Sequence, residues 1–198
     1  MAKPQIGQRQ LRVGRRSYSG CFYLITSATK DRVPVFENDE IAKAAIEGFS
    51  VPKLLKDSLL FSWVLMPDHA HWLLQLGSYD SISTLVGKMK SASARLAHRA
   101  GHCGQVWQAG FHERRIMDQE ELPAFAQYIA QNPQRAGLVK HNEIYPYWSG
   151  ASPFNHATYN TGAAASFADN IGSTPAGKGQ SIATVGSSQR MAASNSGA

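Results

Sequence analysis

The stretch Val64-Leu65-Met66-Pro67-Asp68-His69-Ala70-His71-Trp72-Leu73-Leu74 holds two imidazoles separated by one residue. On a strand, successive side chains alternate faces, so His69 and His71 point one way while Ala70 and Trp72 point the other. Two imidazoles at i and i+2 can hold one metal ion and leave coordination positions open for a substrate. Taken alone, a His-x-His pair is weak evidence for a metal, since paired surface or core histidines are common. Far downstream lies Gln127-Tyr128-Ile129-Ala130-Gln131-Asn132-Pro133-Gln134-Arg135-Ala136-Gly137-Leu138-Val139. Helical residues four apart are separated by about 400° of turn and about 6 Å of rise. Tyr128 and Asn132 then share a face and present a phenol and an amide together. The phenol is a candidate nucleophile, and the amide oxygen a candidate third metal ligand. The competing reading is a half-buried helix tyrosine followed by an asparagine that stops the helix, because a residue before proline is pushed away from the α region.

These groups need elements to hold them. Gly20 to Thr26 reads as an apolar strand. Residues 38–57 read as a helix opened by Asn38, with a break at Ser50 to Pro52. Residues 58–66 and 69–76 read as two strands joined at the turn signal Pro67-Asp68. A helix follows from Ser81 to about Ala100, where Leu85, Met89, Ala92 and Leu96 keep helical spacing and Lys88, Lys90, Arg95 and Arg99 form a basic side. Gln105 to Ile116 reads as extended, and Glu120 to Asn132 as helical. This order predicts an α+β fold, a ferredoxin-like antiparallel sheet with helices on one face, plus an added C-terminal helix carrying the tyrosine.

Lysine and arginine number 20 against 14 acids, giving a net charge of +6 over 198 residues. Residues 1–17 are predicted to be a basic arm, with Lys3, Arg9, Arg12, Arg15 and Arg16 and no acid. Charge alone leaves open whether this arm reaches for phosphates or is a solvated terminus. Residues 18–150 are the expected folded domain. Residues 151–198 carry only Asp169, Lys178 and Arg190 among Ala, Gly, Ser, Thr and Asn, and are expected to be a disordered tail. Apolar residues at 43% exclude a wholly disordered chain. Cys21 and Cys103 are too few for a disulfide framework or a cysteine-rich metal site. The longest apolar runs fall short of the roughly 18 residues of a membrane span, and the one behind the basic arm is too short for a secretion signal. The chain is expected to be soluble and cytoplasmic, with no membrane partner.

Together, Met66-Pro67-Asp68-His69-Ala70-His71 and Tyr128-x-x-x-Asn132-Pro133-x-Arg135-Ala136-Gly137-Leu138-Val139 resemble the REP-associated tyrosine transposases. Those proteins are relatives of the single-tyrosine insertion-sequence transposases in the HUH superfamily. Phe22-Tyr23-Leu24-Ile25-Thr26 and Val106-Trp107-Gln108-x-Gly110-Phe111-His112 are similar to that family too, so the resemblance covers about residues 18–148. It implies that His69, His71 and Asn132 bind a divalent metal, Mg²⁺ or Mn²⁺. It also implies that Tyr128 attacks single-stranded DNA to form a 5′-phosphotyrosine link, at a hairpin of a repetitive extragenic palindrome. The expected backbone contacts come from Lys88, Lys90, Arg95 and Arg99, the arm residues Arg12, Arg15 and Arg16, and Arg135, which either meets phosphate or ties the helix end to the domain. His112 receives no catalytic role, and Trp107 is read as core, with base stacking as its alternative. Two other readings compete: a rolling-circle nickase of the same superfamily, and a non-catalytic nucleic-acid module. The first typically has a lysine soon after the tyrosine, or the tyrosine ahead of the histidines. The second leaves the histidine pair unexplained. Monomer and homodimer are equally compatible with the sequence.

Overall fold

The structure, a computed structural model, describes residues 17–141 and 143–150; Arg12, Arg15, Arg16 and the whole 151–198 tail lie outside the described residues. The strands are β1 (Phe22–Ala28), β2 (Leu59–Met66), β3 (His69–Gln75), β4 (His112–Ile116) and β5 (Trp148–Gly150). They form one antiparallel sheet in the order β4-β1-β3-β2-β5. Its first four positions are those of a ferredoxin-like sheet. Helices α1 (Asp39–Ser50) and α2 (Pro52–Leu55) carry the chain from β1 to β2, and α3 (Ile82–Arg99) carries it from β3 to β4. Helix α4 (Leu122–Arg135) follows β4, completing the expected α+β architecture.

Local chemistry sets the helix ends. The Asn38 carbonyl oxygen Oδ1 accepts the Ile41 N–H (3.1 Å), and Asp39 and Glu40 lie at the positive end of α1. Pro52 stops α1 at the break expected from the sequence and opens α2. The Ser81 hydroxyl accepts the Thr84 N–H (3.1 Å) and opens α3. Where α1 crosses α3, a Cβ on Gly48 would stand 2.5 Å from the Ser93 Cα, so only glycine allows this approach.

Alternation along the strands divides the core between two faces. Tyr23, Ile25, Leu65, Ala70, Trp72 and Leu74 point to the face covered by α1 and α3, where Phe36, Phe49 and Met89 meet them. Phe22, Leu24, Val64, Met66, Leu73 and Ile116 point to the other face and pack against Leu122, Phe125, Ala126 and Ile129 of α4. The helix that carries the tyrosine therefore lies across the sheet from the other helices.

Three elements differ from the sequence expectation. Helix α4 runs through Pro133 to Arg135 instead of ending near Asn132. Pro133 gives up one helical N–H. The last turn is closed instead by Ala136 N–H to Asn132 O (2.9 Å), Gly137 N–H to Gln134 O (3.0 Å) and Leu138 N–H to Pro133 O (2.9 Å). Gly137 adopts φ +72°, the left-handed conformation that ends such a turn. Of the expected extended segment 105–116, only His112–Ile116 is strand; the part before it pairs with the sheet through one Thr29–Trp107 bridge. The short β5, which the serine and glycine of Trp148–Gly150 did not announce, pairs with β2 beyond a hydrogen bond from Leu65 N–H to Tyr147 O (2.9 Å).

Candidate active site

His69 and His71 stand on the α4 face of β3, their ring centroids 4.9 Å apart and nearly perpendicular. The connection that precedes them is fixed from both sides. Pro67 O accepts the Phe36 N–H (3.0 Å), and Asp68 O accepts both the Thr29 N–H (2.8 Å) and the Thr29 hydroxyl (2.9 Å). Each imidazole has its Nδ1 engaged. His69 Nδ1 pairs with Asp68 Oδ1 at 2.6 Å, and the other carboxylate oxygen of Asp68 takes the Arg32 guanidinium at 3.0 Å. His71 Nδ1 pairs with Thr26 Oγ1 at 2.8 Å, because the β1–β3 register sets Thr26 directly opposite His71. An imidazole held through one nitrogen is fixed in orientation and offers the other, here Nε2, to a ligand.

Electrostatics favour the same use. Burial pushes the His71 pKa down to about 3, helped by the neighbouring His69 and Arg32 charges and opposed by Asp68, so His71 is neutral at physiological pH. Neutral imidazole is the ligand form. Burial raises the Asp68 carboxyl, but the hydrogen bond to His69 and the Arg32 guanidinium outweigh it and hold Asp68 below the ordinary carboxylate range. Among the described residues, no group of three or more His, Cys, Asp and Glu side chains converges to hold a metal ion. Two imidazoles with free Nε2 atoms fit a divalent ion whose remaining ligands come from an amide, water or substrate.

Helix α4 brings Tyr128 over this pair. Its ring lies 5.6 Å from the His71 ring, edge to face, and the Arg135 guanidinium lies 5.6 Å from the Tyr128 ring centroid. Asn132 sits one turn after Tyr128, and its Nδ2 donates to the Tyr128 carbonyl at 2.9 Å, which leaves Oδ1 as the acceptor of that amide. His71 and Tyr128 are thus in ring contact, whereas Asn132 turns its amide N–H onto its own helix.

The basic side chains fare differently. Helix α3 lies on the sheet face opposite Tyr128, so its basic side does not border the tyrosine. Lys88 is ion-paired with Asp80 at 2.7 Å. The Lys90 ammonium donates to Gln108 O and Gly110 O, both at 2.6 Å, and burial lowers its pKa to about 8. Arg95 and Arg99 are exposed, and so is Arg135. Trp107 is core: it is buried, and its indole N–H donates to Ser93 Oγ at 2.8 Å.

The sequence motifs do not single out Thr26, Asp68 and Arg32 as site residues. Asp68 sits beside His69 in the quoted motif, and that adjacency was the available signal. Thr26 depends on strand register and Arg32 on the 3₁₀ turn Lys30–Arg32, neither of which spacing reveals. His112, exposed on the edge strand, lies opposite Thr26 in the β1–β4 register and so shares a row with His71.

Comparison with known proteins gives this geometry a family. The family model described as Transposase IS200 like matches residues 17–132, which include His69, His71, Tyr128 and Asn132. A REP-associated tyrosine transposase of Escherichia coli is 28% identical over 88 residues, covering 43% of this chain and 50% of that protein, so the match spans half the length of that relative. A putative REP-associated tyrosine transposase of Haemophilus influenzae is 28% identical over 152 residues, covering 68% of this chain and 83% of that protein. Among solved structures, a REP-associated tyrosine transposase bound to a REP hairpin aligns with a TM-score of 0.53 at 21% identity, over 75% of this chain and 82% of that one, a likeness of fold. No described helix is long and apolar enough to cross a membrane. With more than half its length matched, and the histidine strand and tyrosine helix inside the match, the chain belongs to the IS200-like transposase family.

Proposed function

We propose that the chain cuts and rejoins single-stranded DNA by transesterification, with Tyr128 as nucleophile, at a hairpin of a repetitive extragenic palindrome. The observation that carries this reading is the ring contact between Tyr128 and His71, made by two elements distant in sequence. In the reaction, Tyr128 Oη forms a bond to the scissile phosphorus while the bond from phosphorus to the 3′ oxygen breaks. The phenolic proton is lost and the departing 3′ oxygen gains one. One phosphate ester replaces another, so the tyrosine-linked 5′ phosphate can pass to a new 3′ hydroxyl. His69 and His71 through Nε2, with Asn132 Oδ1 as third donor, would hold Mg²⁺ or Mn²⁺. Such an ion supplies charge stabilisation at a non-bridging phosphate oxygen and at the leaving oxygen. Asp68 and Thr26 keep the two imidazoles oriented, and α4 holds the phenol on the same side of the sheet. An unpaired strand is the substrate because a tyrosine on a packed helix needs an exposed, unstacked phosphate. The hairpin is supported by the names of the two relatives and by the DNA bound in the structural neighbour.

The test is to trap the intermediate. Incubation with labelled single-stranded DNA and Mg²⁺ or Mn²⁺ is expected to give an adduct that survives denaturation. Peptide mass is expected to place a 5′-phosphate on Tyr128. Tyr128→Phe removes one oxygen at nearly constant volume, so the fold and DNA affinity persist while the adduct disappears. Attachment to Tyr145 or Tyr147 would overturn the nucleophile assignment. Both phenols are otherwise engaged: Tyr145 donates to Leu65 O (3.0 Å) and Tyr147 to Asp39 Oδ1 (2.5 Å). Burial pushes both up to about 12, with the neighbouring Tyr147 adding to it at Tyr145 and Asp39 at Tyr147.

A further inference from the structure

The edge strand β4 presents His112 on the tyrosine side of the sheet. Residues directly opposite one another in an antiparallel pair share a face. Thr26 stands opposite His71 of β3 and opposite His112 of β4, so the three side chains form one row across the face on which α4 packs. Neighbouring strands lie about 4.8 Å apart, which sets the backbone of His112 about 10 Å from that of His71, with Thr26 between them.

Three observations say what this row can do. The first is access. On the tyrosine face of β1, Phe22 and Leu24 are buried in the cluster that α4 covers. Thr26 is only half-buried, although a strand flanks it on both sides, and so is Ala28 beyond it. No described helix seals this strip, which runs from the contact of Tyr128 with His71 out to His112. The second is charge. His112 and Arg114 pair with Thr26 and Leu24 and point to this face, whereas Glu113, the one acid of β4, pairs with Ile25 and points to the other. The carboxylate beside the histidines, Asp68, is taken by His69 and Arg32. The third is availability. Lys88 and Lys90 are held by Asp80 and by loop carbonyls, and Arg114 lies on the Phe125 ring. The imidazole of His112 is exposed and makes no hydrogen bond or ion pair with another described residue.

We propose that His112 holds a backbone phosphate of the DNA strand flanking the phosphate that Tyr128 attacks, so that the strand lies along the Thr26 row from the histidine pair to the edge of the sheet. An imidazole offers an N–H to a phosphate oxygen whether it is neutral or protonated. Arg114 adds positive charge on the same side, and the short side chains of Thr26 and Ala28 leave room for the strand. Phosphate contacts of this kind fix the position of a strand and are blind to its bases. The inference rests on the DNA-cutting reading above and adds the path of the strand beside the site.

The experiment uses the full chain carrying Tyr128→Phe, so that binding is read without cleavage, and a hairpin with a single-stranded arm. In a set of such hairpins each linkage of the arm in turn is a neutral methylphosphonate. His112→Val removes the imidazole and keeps a good strand former at the edge, so the urea midpoint is expected to hold. Its affinity for the armed hairpin is expected to fall by on the order of fivefold, the size of a strong exposed charge contact. His112→Arg, which restores a donor, is expected to recover that affinity. One neutral linkage is expected to weaken binding to the His112 protein by a similar factor and to cost His112→Val nothing further, the signature of coupled partners. Armed-hairpin affinity unchanged in His112→Val would overturn the contact while leaving the DNA reading intact. So would neutral linkages that cost both proteins equally at every position. A chain with His112 in place that does not bind the armed hairpin at all would remove the DNA reading and this inference with it.

Discussion

Strand β3 shows opposite characters to its two sides. Toward α1 and α3 it offers Ala70, Trp72 and Leu74, all fully buried, with Phe49 meeting the Trp72 ring at 5.4 Å and Trp107 at 5.8 Å. Toward α4 it offers His69, His71 and Leu73, so an apolar floor of Leu73, Val64 and Met66 ends in two imidazoles. One face is closed mainly by apolar and aromatic side chains, with Ser27 and Ser93 buried on that side. The other carries two imidazoles, each tied to a partner through Nδ1, because an unpaired buried polar group would cost about 1–3 kcal/mol. A single strand thus supplies much of the stability on one side and the candidate chemistry on the other, and substitutions one residue apart should separate the two.

The largest contrast sets Trp72→Ala against His71→Ala. Truncating Trp72 opens a cavity in the aromatic core and is expected to cost about 3–5 kcal/mol, read from the urea midpoint. Truncating His71 is expected to abolish cleavage and leave hairpin binding, at a stability cost of about 1 kcal/mol from the lost bond to Thr26. Undiminished cleavage by His71→Ala would break the assignment of chemistry to that face.

A second contrast uses pH in metal-free protein. The folded pKa of His71 near 3 lies below the unfolded value near 6.5, so between those values the unfolded chain holds a proton that the folded chain does not. The resulting stability is fully present above about pH 6.5 and is lost as pH falls toward 3, by at most about 1.4 kcal/mol per pH unit from this group. Urea melts at pH 7 and pH 5 should show the loss, and His71→Ala should flatten it. An equal slope in that variant would assign the proton uptake elsewhere.

The smallest effect belongs to the α1 side. Asn38→Ala removes the cap on Ile41 N–H and should cost about 1 kcal/mol with adduct formation unchanged. A loss of cleavage in that variant would show that the two faces are less separable than the packing suggests.

Much of this division can be read from the chain. Alternation through His69-Ala70-His71-Trp72 separates the faces, and the caps Asn38 and Ser81, with the break at Pro52, place α1 and α3 to within a residue or two. What spacing hides is register and tertiary capture. Nothing in Phe22 to Thr26 says that Thr26 will meet His71, because that pairing depends on how the strands slide past one another. Lys88 and Lys90 read as a basic face, yet Asp80 and two loop carbonyls engage them. Pro133 reads as a stop, but a carbonyl acceptor from its own position and Gly137 close the turn beyond it. The three-residue β5 is too short for any periodicity to mark.

The outer strand β4 has a consequence for how the chain behaves in a crowded cell. An open sheet edge is a template on which another chain can add a strand. Here the edge is only five residues long and reads His112-Glu113-Arg114-Arg115-Ile116. Its two guanidiniums lie on aromatic rings, Arg114 on Phe125 at 4.9 Å and Arg115 on Tyr18 at 4.4 Å. A strand arriving from another copy would have to pair beside these fixed positive charges. This short, charged edge is therefore a poor seed for aggregation.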